Sequence, residues 1–567
     1  MGQKVTFLMC FLKKSCQLAK IGVPAGVPVC TTLAHGMILV LLLLVSDIDF
    51  SGYMLSSNSS MYDIPKDIPR EAIENPSKTF YFPIISDTKT NLLYDRSFPR
   101  IPADKEKAEA VKEAFMHAWT PYRKYCWGQD EFVPHSRSCS NTLHAGLTIV
   151  DSLSTLYIMN LTEEFKAARD YIANDFKPSG SWSLFEFLIR FVGGFVSTYQ
   201  LTGDEIFLKR AVECADAVYP LMEGGIFGGG IALSYFGGKL TARRTSNGGT
   251  SLVDTSTYQL EFIALSMVTG DPKYINLAMK TYNIIWRNTA GHGLISDPYS
   301  SGGQLHVGGG TDSYFEYIIK IYVMTRGYAK IFLNKYLEIA RDIKEKLIIH
   351  SGKSNYTGLG ISYGGGRASP RQEHLATFAG GMLAVGTVKD NPGAAEDLKL
   401  ADELATGYYY SYASTQTGVG PEFMDFVQSK DRDFRASDPT YKLRPESVES
   451  ECVMFRFTGL PKFRDYSWKM FQAINTYARK ENGFAWIHNV ESKDKYSSTA
   501  QDSYFLAETL KYLYLTFSDT SLISPAEWVF NTEGHPLKIF TDEEAKKWAP
   551  FLTGSSIKSI LNSYINH

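Results

Sequence analysis

Three stretches of this chain share one plan: FEFLIRFVGGFVSTYQLTGDEIFLKRA (185–211), VDTSTYQLEFIALSMVTGDPKYINLA (253–278) and RPESVESECVMFRFTGLPKFRDYS (444–467). In each stretch an apolar helical pattern ends in a Thr-Gly turn, and a second helical pattern begins with an aromatic residue nearby. Four further stretches fit all or part of this plan more loosely, at residues 151–168, 312–336, 373–386 and 502–517. Such self-similarity indicates a repeat of helix hairpins.

The seven repeats predict a closed ring of helices. Each hairpin has an apolar face that only a neighbouring hairpin can bury, so the units must stack. Because no polar capping repeat is present, we expect the stack to close on itself over about residues 101–554. The predicted fold is all-α, a toroid of helix hairpins whose first helix (Ala108–Tyr125) pairs with the last.

Composition excludes several classes of function. Of the 567 residues, 44% are hydrophobic and 21% are charged, which is typical of a globular protein. The net charge of −2 provides no basic stripe, so we expect no nucleic-acid partner. The seven cysteines form no CxxC motif and no zinc-binding spacing. Cys126 and Cys139 are close enough in sequence to pair, although sequence alone leaves this open.

The N-terminus carries an apolar segment long enough to cross a bilayer. Ile21–Ser46 contains no Asp, Glu, Lys or Arg and includes the run MILVLLLLV (Met37–Val45). Lysines precede the segment and aspartates follow it, so the positive-inside rule places the rest of the chain in the lumen. The alternative is a cleaved signal peptide. Either interpretation predicts entry into the secretory pathway, with attachment to the Golgi or endoplasmic reticulum membrane as a single-pass type II protein in the first case.

Three segments follow from this pattern. Residues 1–50 are predicted to be a cytosolic tail and signal anchor, residues 51–100 a luminal stem rich in Ser, Asp and Pro, and residues 101–567 the catalytic domain. Glycosylation sequons at Asn58, Asn160 and Asn355 agree with a luminal location. We expect a monomer.

An ionisable residue lies near the start of the first helix in every repeat. These residues are Asp151, Glu186, Asp254, Asp312, His374, Glu446 and Asp502. A single acid at a helix start is usually a cap. In a closed ring, however, all seven ends meet at one mouth. Glu316 and Glu449 add second carboxylates at spacings that cost a helix a few tenths of a kcal/mol, which indicates a use for them.

A ring of carboxylates suits two kinds of chemistry. Glycoside hydrolysis needs one acid to protonate the leaving oxygen and a second to activate water or to attack. The same oxygens suit a calcium ion. The sequence contains no EF-hand, P-loop, HExxH or dinucleotide fingerprint.

Six segments in the same order resemble the class I α-1,2-mannosidases, glycoside hydrolase family 47. They are FEFLIRFVGG (185–194), GTDSYFEY (310–317), GPEF (420–423), LRPESVES (443–450), DSYFLAETLKYLYLTFSD (502–519) and FNTEGHPL (530–537). The resemblance implies an (αα)7 barrel that removes α-1,2-linked mannose from high-mannose N-glycans, with inversion of configuration and a Ca²⁺ ion at the barrel floor.

The resemblance also implies roles for individual residues. Glu186 matches the general acid and Glu446 the general base, while Asp312 matches a third catalytic carboxylate. The assignment of the general acid stays open between Glu186 and Asp312. The residues implied in sugar binding are Arg190, His374, Arg444, Asp151, Asp254 and Glu316. Structural roles are the alternatives for Arg444, as an ion pair, and for His374. Thr532 would ligate calcium directly through its carbonyl and hydroxyl oxygens. Waters held by Glu422, Glu449, Asp502 and Glu533 would complete the shell.

The chain departs from the family pattern at several positions. Asp254 and Asp502 stand where the family usually has Glu, and Ala376 and Tyr408 replace the two cysteines that many relatives join across the barrel. Gly310 stands where the narrow-specificity endoplasmic-reticulum members have Arg, which implies a wider pocket, closer to the Golgi and fungal members. The competing interpretation is a mannose-binding quality-control lectin on the same barrel, with little or no hydrolysis.

Overall fold

The computed structural model describes residues 94, 98–245, 251–297, 299, 303–364, 367–494 and 496–552. The predicted membrane segment, nearly all of the predicted stem and the sequon at Asn58 lie outside these residues, so the boundaries at residues 50 and 100 stay predictions. Among the helices of the described part, none combines the length and the apolar character that crossing a bilayer requires. The sequon residues Asn160 and Asn355 are exposed.

The helices alternate between an inner and an outer layer. The inner layer is α2 (Leu147–Ile158), α4 (Leu184–Phe187) with α5 (Gly193–Thr202), α7 (Leu252–Ser256) with α8 (Gln259–Thr269), α10 (Asp312–Met324), α12 (Ala379–Val385), α14 (Glu446–Thr458) and α16 (Leu510–Phe517). The outer layer is α1 (Lys105–Tyr125), α3 (Thr162–Asn174), α6 (Glu205–Met222), α9 (Lys273–Asn288), α11 (Lys330–Lys346), α13 (Ala394–Ala413) and α15 (Pro461–Tyr477). A last helix, α17 (Asp542–Leu552), packs on α9.

The inner helices form a closed ring, as the repeats predicted. Each inner helix contacts the next, and the last inner segment returns to α2. The first helix, α1, packs against α16 and supplies the seventh hairpin with its outer partner. The predicted all-α toroid of seven hairpins is therefore confirmed.

Burial patterns explain the two layers. In the inner helix α10 every residue after Asp312 is buried. The outer helix α11 buries one face, which includes Phe332, Tyr336 and Ile339 at spacings of four and three, and this is the one-sided pattern of a helix at a protein surface. Gly203 ends α5 with a φ of +72°, a conformation that favours glycine and turns the chain outward into α6.

Within the described residues, twelve short strands occupy the connections between helices, and the sequence analysis did not predict them. The sheets are antiparallel, in the orders β3-β4-β5 (Gly180–Ser183, Gly230–Phe236, Lys239–Arg244) and β8-β9-β10 (Arg371–Glu373, Phe423–Phe426, Phe434–Asp438). Three hairpins complete the set: β1-β2 (Glu131–Val133, Ser138–Ser140), β6-β7 (Ile348–His350, Thr357–Leu359) and β11-β12 (Trp528–Phe530, Pro536–Lys538). β3 and β8 lead into inner helices, so they border the mouth of the barrel.

The cysteines resolve one open point. Cys126 and Cys139 form a disulfide between the end of α1 and β2. Cys214 and Cys452 are buried as free thiols. Ala376 and Tyr408 are both buried. Their side chains occupy the positions that a cross-barrel disulfide would take.

Candidate active site

The barrel contains a cavity of about 260 Å³ that the N-terminal parts of the inner helices surround. Seven carboxylates line it: Glu186, Asp312, Glu316, Glu446, Glu449, Glu508 and Glu533. Arg190, Arg444 and Thr532 also line it. The structure therefore brings together nine of the fourteen residues singled out from the sequence, and their individual roles stay predictions.

Arg190 joins acids from three parts of the chain. Its Nε donates to Glu186 at 2.7 Å, and its Nη1 donates to Asp151 at 2.9 Å and also to Glu533. Arg190 is buried, as are Asp151 and Glu533. Buried charges are tolerated only when they are paired and hydrogen-bonded, so one guanidinium holds this wall of the cavity together.

Two π-helical turns shape the cavity wall. Leu188–Val192 separates α4 from α5 and carries Arg190, while Phe505–Thr509 precedes α16 and carries Glu508. A π turn inserts an extra residue into a helix and is often found at functional sites. Each of these turns supplies a charged side chain to the cavity.

Asp312 is the first residue of α10 and is set deep in the cavity. Burial raises its pKa to about 8, and the negative charges of Glu373, Glu446 and Glu316 add to this effect. The Ser313 backbone N–H donates to its Oδ1 at 2.8 Å and partly offsets the shift. A carboxyl group with this pKa retains a proton at neutral pH and can donate it.

Glu446 begins α14 and is oriented by a buried histidine. The Nδ1 of His374 lies 2.7 Å from Oε2 of Glu446, and its Nε2 lies 2.5 Å from the Tyr412 hydroxyl. With a neutral imidazole, Nδ1–H donates to the glutamate and Nε2 accepts from the tyrosine. His374 does not line the cavity itself, so it acts on Glu446 from behind.

A buried lysine lies between two of the lining carboxylates. Lys320 pairs with Glu316 one turn before it and lies 3.7 Å from Glu449. Burial raises the pKa of Glu449 to about 8; Lys320 opposes the rise and Glu316 adds to it. One cation therefore serves two carboxyl groups, and Glu449 retains a proton near neutral pH unless a further cation binds nearby.

The β11-β12 hairpin closes the floor. It contacts α5, α8 and α10, and its turn carries Thr532 and Glu533. The amide of Asn531 donates to Glu261 at 2.8 Å and to the Ile189 carbonyl at 3.0 Å, while Lys511 donates to the Gly534 carbonyl at 2.5 Å. These buried bonds fix the turn in the barrel.

Two more carboxyl groups at the floor have strongly raised pKa values. Burial raises the pKa of Glu533 and Glu508 well above the usual range, and nearby carboxylates contribute to both shifts. The Thr532 hydroxyl makes no hydrogen bond to any residue that the structure describes. Oxygen atoms with a surplus of negative charge are the donors that a hard divalent cation prefers.

Glu508 was missed by the sequence analysis. It lies in the segment DSYFLAETLKYLYLTFSD, but the search considered the starts of inner helices, and Glu508 follows Asp502 by six residues. Its π turn, which period-3.6 patterning does not anticipate, aims it into the cavity. The sequence feature that could have identified Glu508 is the presence of an acidic residue within an otherwise largely apolar inner-helix segment.

Besides Asp151 and His374, three predicted residues lie outside the cavity lining. Glu422 accepts two hydrogen bonds from Arg444, at 2.7 and 3.1 Å, and Lys442 lies 3.0 Å from it. Asp502 accepts from the Trp486 indole at 2.5 Å. The pKa of Asp254 is raised by burial and by Asp297 and Glu186. Neither Glu422 nor Asp502 lines the cavity that Thr532 lines, and their predicted role in holding calcium-bound waters stays a prediction.

We expect Arg190→Gln to lower the free energy of unfolding by about 3–5 kcal/mol, because it leaves buried carboxylates without their cation. Thermal or urea unfolding measures this. The matched control is Arg137→Gln, which removes an exposed pair with Glu481 at 3.1 Å and should cost at most about 1 kcal/mol. Equal effects of the two substitutions would show that the Arg190 network does not stabilise the barrel.

Comparisons with known proteins agree with this architecture. The profile of Glycosyl hydrolase family 47 matches residues 114–539. The chain is 38% identical over 470 residues to mannosyl-oligosaccharide 1,2-alpha-mannosidase MNS1 of Arabidopsis thaliana, covering 79% of this chain and 81% of that protein. It is 35% identical over 454 residues to mannosyl-oligosaccharide 1,2-alpha-mannosidase IB of Homo sapiens, covering 77% and 70%.

A solved structure shows the same likeness. The alpha-1,2-mannosidase from Trichoderma reesei superimposes with a TM-score of 0.71 at 25% identity, over 78% of this chain and 100% of that one. Within the described residues, no group of three or more His, Cys, Asp or Glu side chains is arranged to hold a metal ion.

Proposed function

This chain belongs to glycosyl hydrolase family 47, and we propose that it removes terminal α-1,2-linked mannose from high-mannose N-glycans by a single displacement with inversion. It is a mannosyl-oligosaccharide 1,2-α-mannosidase. One observation carries the proposal: a glutamate oriented by histidine and an aspartic acid that retains its proton face one cavity. An inverting glycosidase needs such a base and such an acid.

The two carboxyl groups divide the chemistry between them. Glu446 takes a proton from the attacking water, and the His374–Tyr412 pair keeps its carboxylate in place. Asp312, whose pKa is about 8, protonates the leaving oxygen. Glu186 is engaged in the ion pair with Arg190 and supports that side of the sugar. All three residues also argue against a lectin without hydrolysis.

Positively charged groups position the sugar. Arg190 and Arg444 line the cavity from opposite ends of the sequence, and each is held by carboxylates, Arg444 by Glu422. Guanidinium groups held in this way present their remaining N–H donors in fixed directions to sugar hydroxyls. Asp151 and His374 act through the residues they contact, Arg190 and Glu446.

The floor fits a calcium ion. Thr532 offers a hydroxyl and a carbonyl oxygen, and Glu449, Glu508 and Glu533 line the same cavity with carboxyl groups able to hold bound waters. Burial raises the pKa values of these acids and neighbouring carboxylates add to the rise, and a hard cation would favour their charged forms. When bound, calcium supplies positive charge that attracts sugar hydroxyls and stabilises the pyranose in the cavity.

We place the protein in the secretory pathway, anchored in the Golgi or endoplasmic reticulum membrane by its N-terminal segment, as a monomer. The apolar run Met37–Val45 and the exposed sequon residues Asn160 and Asn355 support this. Protease protection of the chain in sealed microsomes tests it. Digestion of the catalytic domain without detergent would contradict a luminal location.

The direct test of the activity is the anomer of the product. Purified protein is incubated with α-1,2-mannobiose in an NMR tube, with α-1,6-mannobiose as the matched control. We expect β-mannose to appear first from the α-1,2 substrate, because inversion of an α-linkage yields the β-anomer, and no release from the control. Initial formation of α-mannose would exclude a single displacement.

Gly310 gives a prediction about branch specificity. It lines the cavity, and without a side chain there we expect several glycan branches to enter, so that a nine-mannose glycan is trimmed towards five. Gly310→Arg should slow trimming beyond eight mannoses, because a cationic side chain at the mouth restricts entry. Mass analysis of a digestion time course measures this.

The control for this substitution is Gly310→Ala. The φ of Gly310 is +88°, and an added Cβ would lie 3.2 Å from Asp297 Oδ2, so both substitutions carry a backbone cost of about 1–2 kcal/mol. Only the arginine adds a long cationic side chain. Equal product patterns for the two variants, or accumulation of one eight-mannose isomer by the unmodified protein, would refute the specificity argument.

A further inference from the structure

A second cavity lies on the outer wall of the barrel, between the C-terminal ends of α1 and α3. It has a volume of about 470 Å³, within the range of small-molecule sites. The side chains that matter here are Arg123, Trp127, Asp170, Tyr171, Asn174 and Asp175. None of them lines the catalytic cavity. We call this cavity the rim site.

Two aromatic rings form its apolar surface. Trp127 and Tyr171 meet edge to face, with ring centroids 6.0 Å apart at 74°. Trp119 supports Trp127 with a centroid distance of 5.9 Å. Gly128 and Gly146 admit the Tyr171 ring closely, since an added Cβ would lie 3.1 Å and 2.8 Å from it. The rings are therefore held in place.

Polar groups surround these rings. Asp170, Asn174 and Asp175 are exposed at the end of α3. Burial raises the pKa of Tyr171 to about 12, and the charges of Asp130 and Asp175 add to the shift, which places the Asp175 carboxylate close to the phenol. Carboxylates accept hydrogen bonds and an amide both donates and accepts.

Donors complete the set. The Trp127 indole N–H makes no hydrogen bond to any described residue, whereas that of Trp119 donates to Glu164 at 2.6 Å. The Arg123 guanidinium lies 5.9 Å from the Trp127 ring centroid and donates one hydrogen bond to Glu164. Some of the other polar groups are already engaged: the Asn174 amide donates to the Asp170 carbonyl at 2.9 Å, the Tyr171 hydroxyl donates to the Gly128 carbonyl at 3.3 Å, and Asp170 lies 3.7 Å from Arg169. The rim site thus combines rigid aromatic rings with the indole donor of Trp127 and the carboxylate acceptor of Asp175.

This combination matches a neutral pyranose. The C–H face of the ring packs on an aromatic side chain, and its hydroxyls hydrogen-bond to carboxylates, amides and indole N–H groups. Two aspartates against one arginine disfavour a phosphate or another anion.

The rim site also faces the correct end of the barrel. The catalytic carboxylates lie at the N-terminal ends of inner helices, and outer helices run antiparallel to them, so the C-terminal ends of α1 and α3 lie at the same end. We propose that the rim site binds a mannose residue of a high-mannose glycan outside the catalytic cavity. The choice of sugar rests on the proposed function.

Hydrogen exchange of the full chain locates the binding. The probe is a free nine-mannose glycan, added to the Glu446→Gln variant so that it is not consumed. We expect slower exchange in peptides that cover residues 126–130 and 168–176, and in peptides of the catalytic cavity. Protection of the cavity alone would overturn the rim site, whereas protection of neither would overturn the proposed function as well.

Substitutions at the rim separate binding from fold. Asp175→Asn should lower the affinity for the glycan, measured from the protection of the rim peptides, by at least about fivefold. This is the effect of losing a hydrogen bond to a charged group. Glu163→Gln, an exposed acid on the same helix α3 that does not line the cavity, is the matched control. Equal affinity in the two variants would contradict the proposal. Trp127→Ala provides a second test if it folds.

Kinetics identify the source of the mannose. If the rim site holds a distant branch of the bound substrate, Asp175→Asn raises KM for the nine-mannose glycan and leaves KM for α-1,2-mannobiose unchanged. If it holds a separate glycan, both KM values stay unchanged while the rim protection is still lost. An equal rise in both KM values would show that the substitution disturbs the catalytic cavity and would count against a separate site.

Discussion

Exhaustive chelation is expected to abolish mannose release from α-1,2-mannobiose, and added calcium is expected to restore it. Thr532, Glu449, Glu508 and Glu533 line one cavity that offers oxygen donors and no thiolate or imidazole, a set that favours calcium over zinc. Burial raises the pKa values of all three acids and nearby carboxylates add to the rise, so a bound cation would stabilise their charged forms. Full activity after chelation, with no metal retained, would exclude the calcium site.

A readout independent of activity is the unfolding temperature. A ligand that binds only the folded state stabilises it, by about 2.7 kcal/mol at a hundredfold excess over its Kd. Calcium should therefore raise the melting temperature of the chelated protein. It should do so less at acidic pH, because protons and calcium compete for the same carboxylates.

Thr532→Ala separates the site from a general effect of calcium. The substitution removes the hydroxyl at the floor and should reduce the calcium-induced rise in melting temperature. Thr241→Ala on the exposed edge of β5 is the control and should leave the rise intact, since Thr241 bonds only the Ser234 carbonyl. If calcium raised the melting temperature of Thr532→Ala as much as that of the unmodified protein, the calcium site would not include Thr532.

The barrel could be predicted from sequence because its repeat is visible in the chain. The Thr-Gly turns end inner helices at Gly203, Gly270 and Gly459, and the apolar stretches of these inner helices have no exposed face. A helix buried on all sides must be surrounded by others. Hairpins of this kind leave few arrangements other than a ring.

The short strands could not be predicted in the same way. β1-β2 and β6-β7 have three residues per strand, too few to show a two-residue alternation. They form because the connections between helices must satisfy their backbone groups near the barrel surface. Their pairing depends on the helices that they connect, so it follows from the tertiary structure.

The candidate site was predictable at helix starts and obscure elsewhere. Asp312 and Glu446 begin their helices and line the cavity. Glu508 required a π turn to reach the cavity, and no pattern of period 3.6 reveals such a turn. Asp502 lies near the start of an inner helical segment but does not line the cavity. Its carboxylate accepts a hydrogen bond from Trp486, and a contact between residues sixteen apart is not visible in the sequence pattern.

Glu446→Gln is expected to lower kcat on α-1,2-mannobiose by at least about a hundredfold, the smaller end of the range for removing a general base. The amide keeps the size of the side chain and its contact with His374, so KM should change little. Asp312→Asn should reduce kcat by a similar factor, because an amide cannot supply the proton that the raised pKa retains.

The matched control lies on the same helix. Glu451 is fully buried outside the cavity, and neither of its carboxylate oxygens hydrogen-bonds to a described residue. Burial raises its pKa well above the usual range, so Glu451→Gln replaces a neutral acid by a neutral amide. Its kcat should equal that of the unmodified protein. If Glu446→Gln also retained normal turnover, the water would have another base, and the assignment of Glu446 would be wrong.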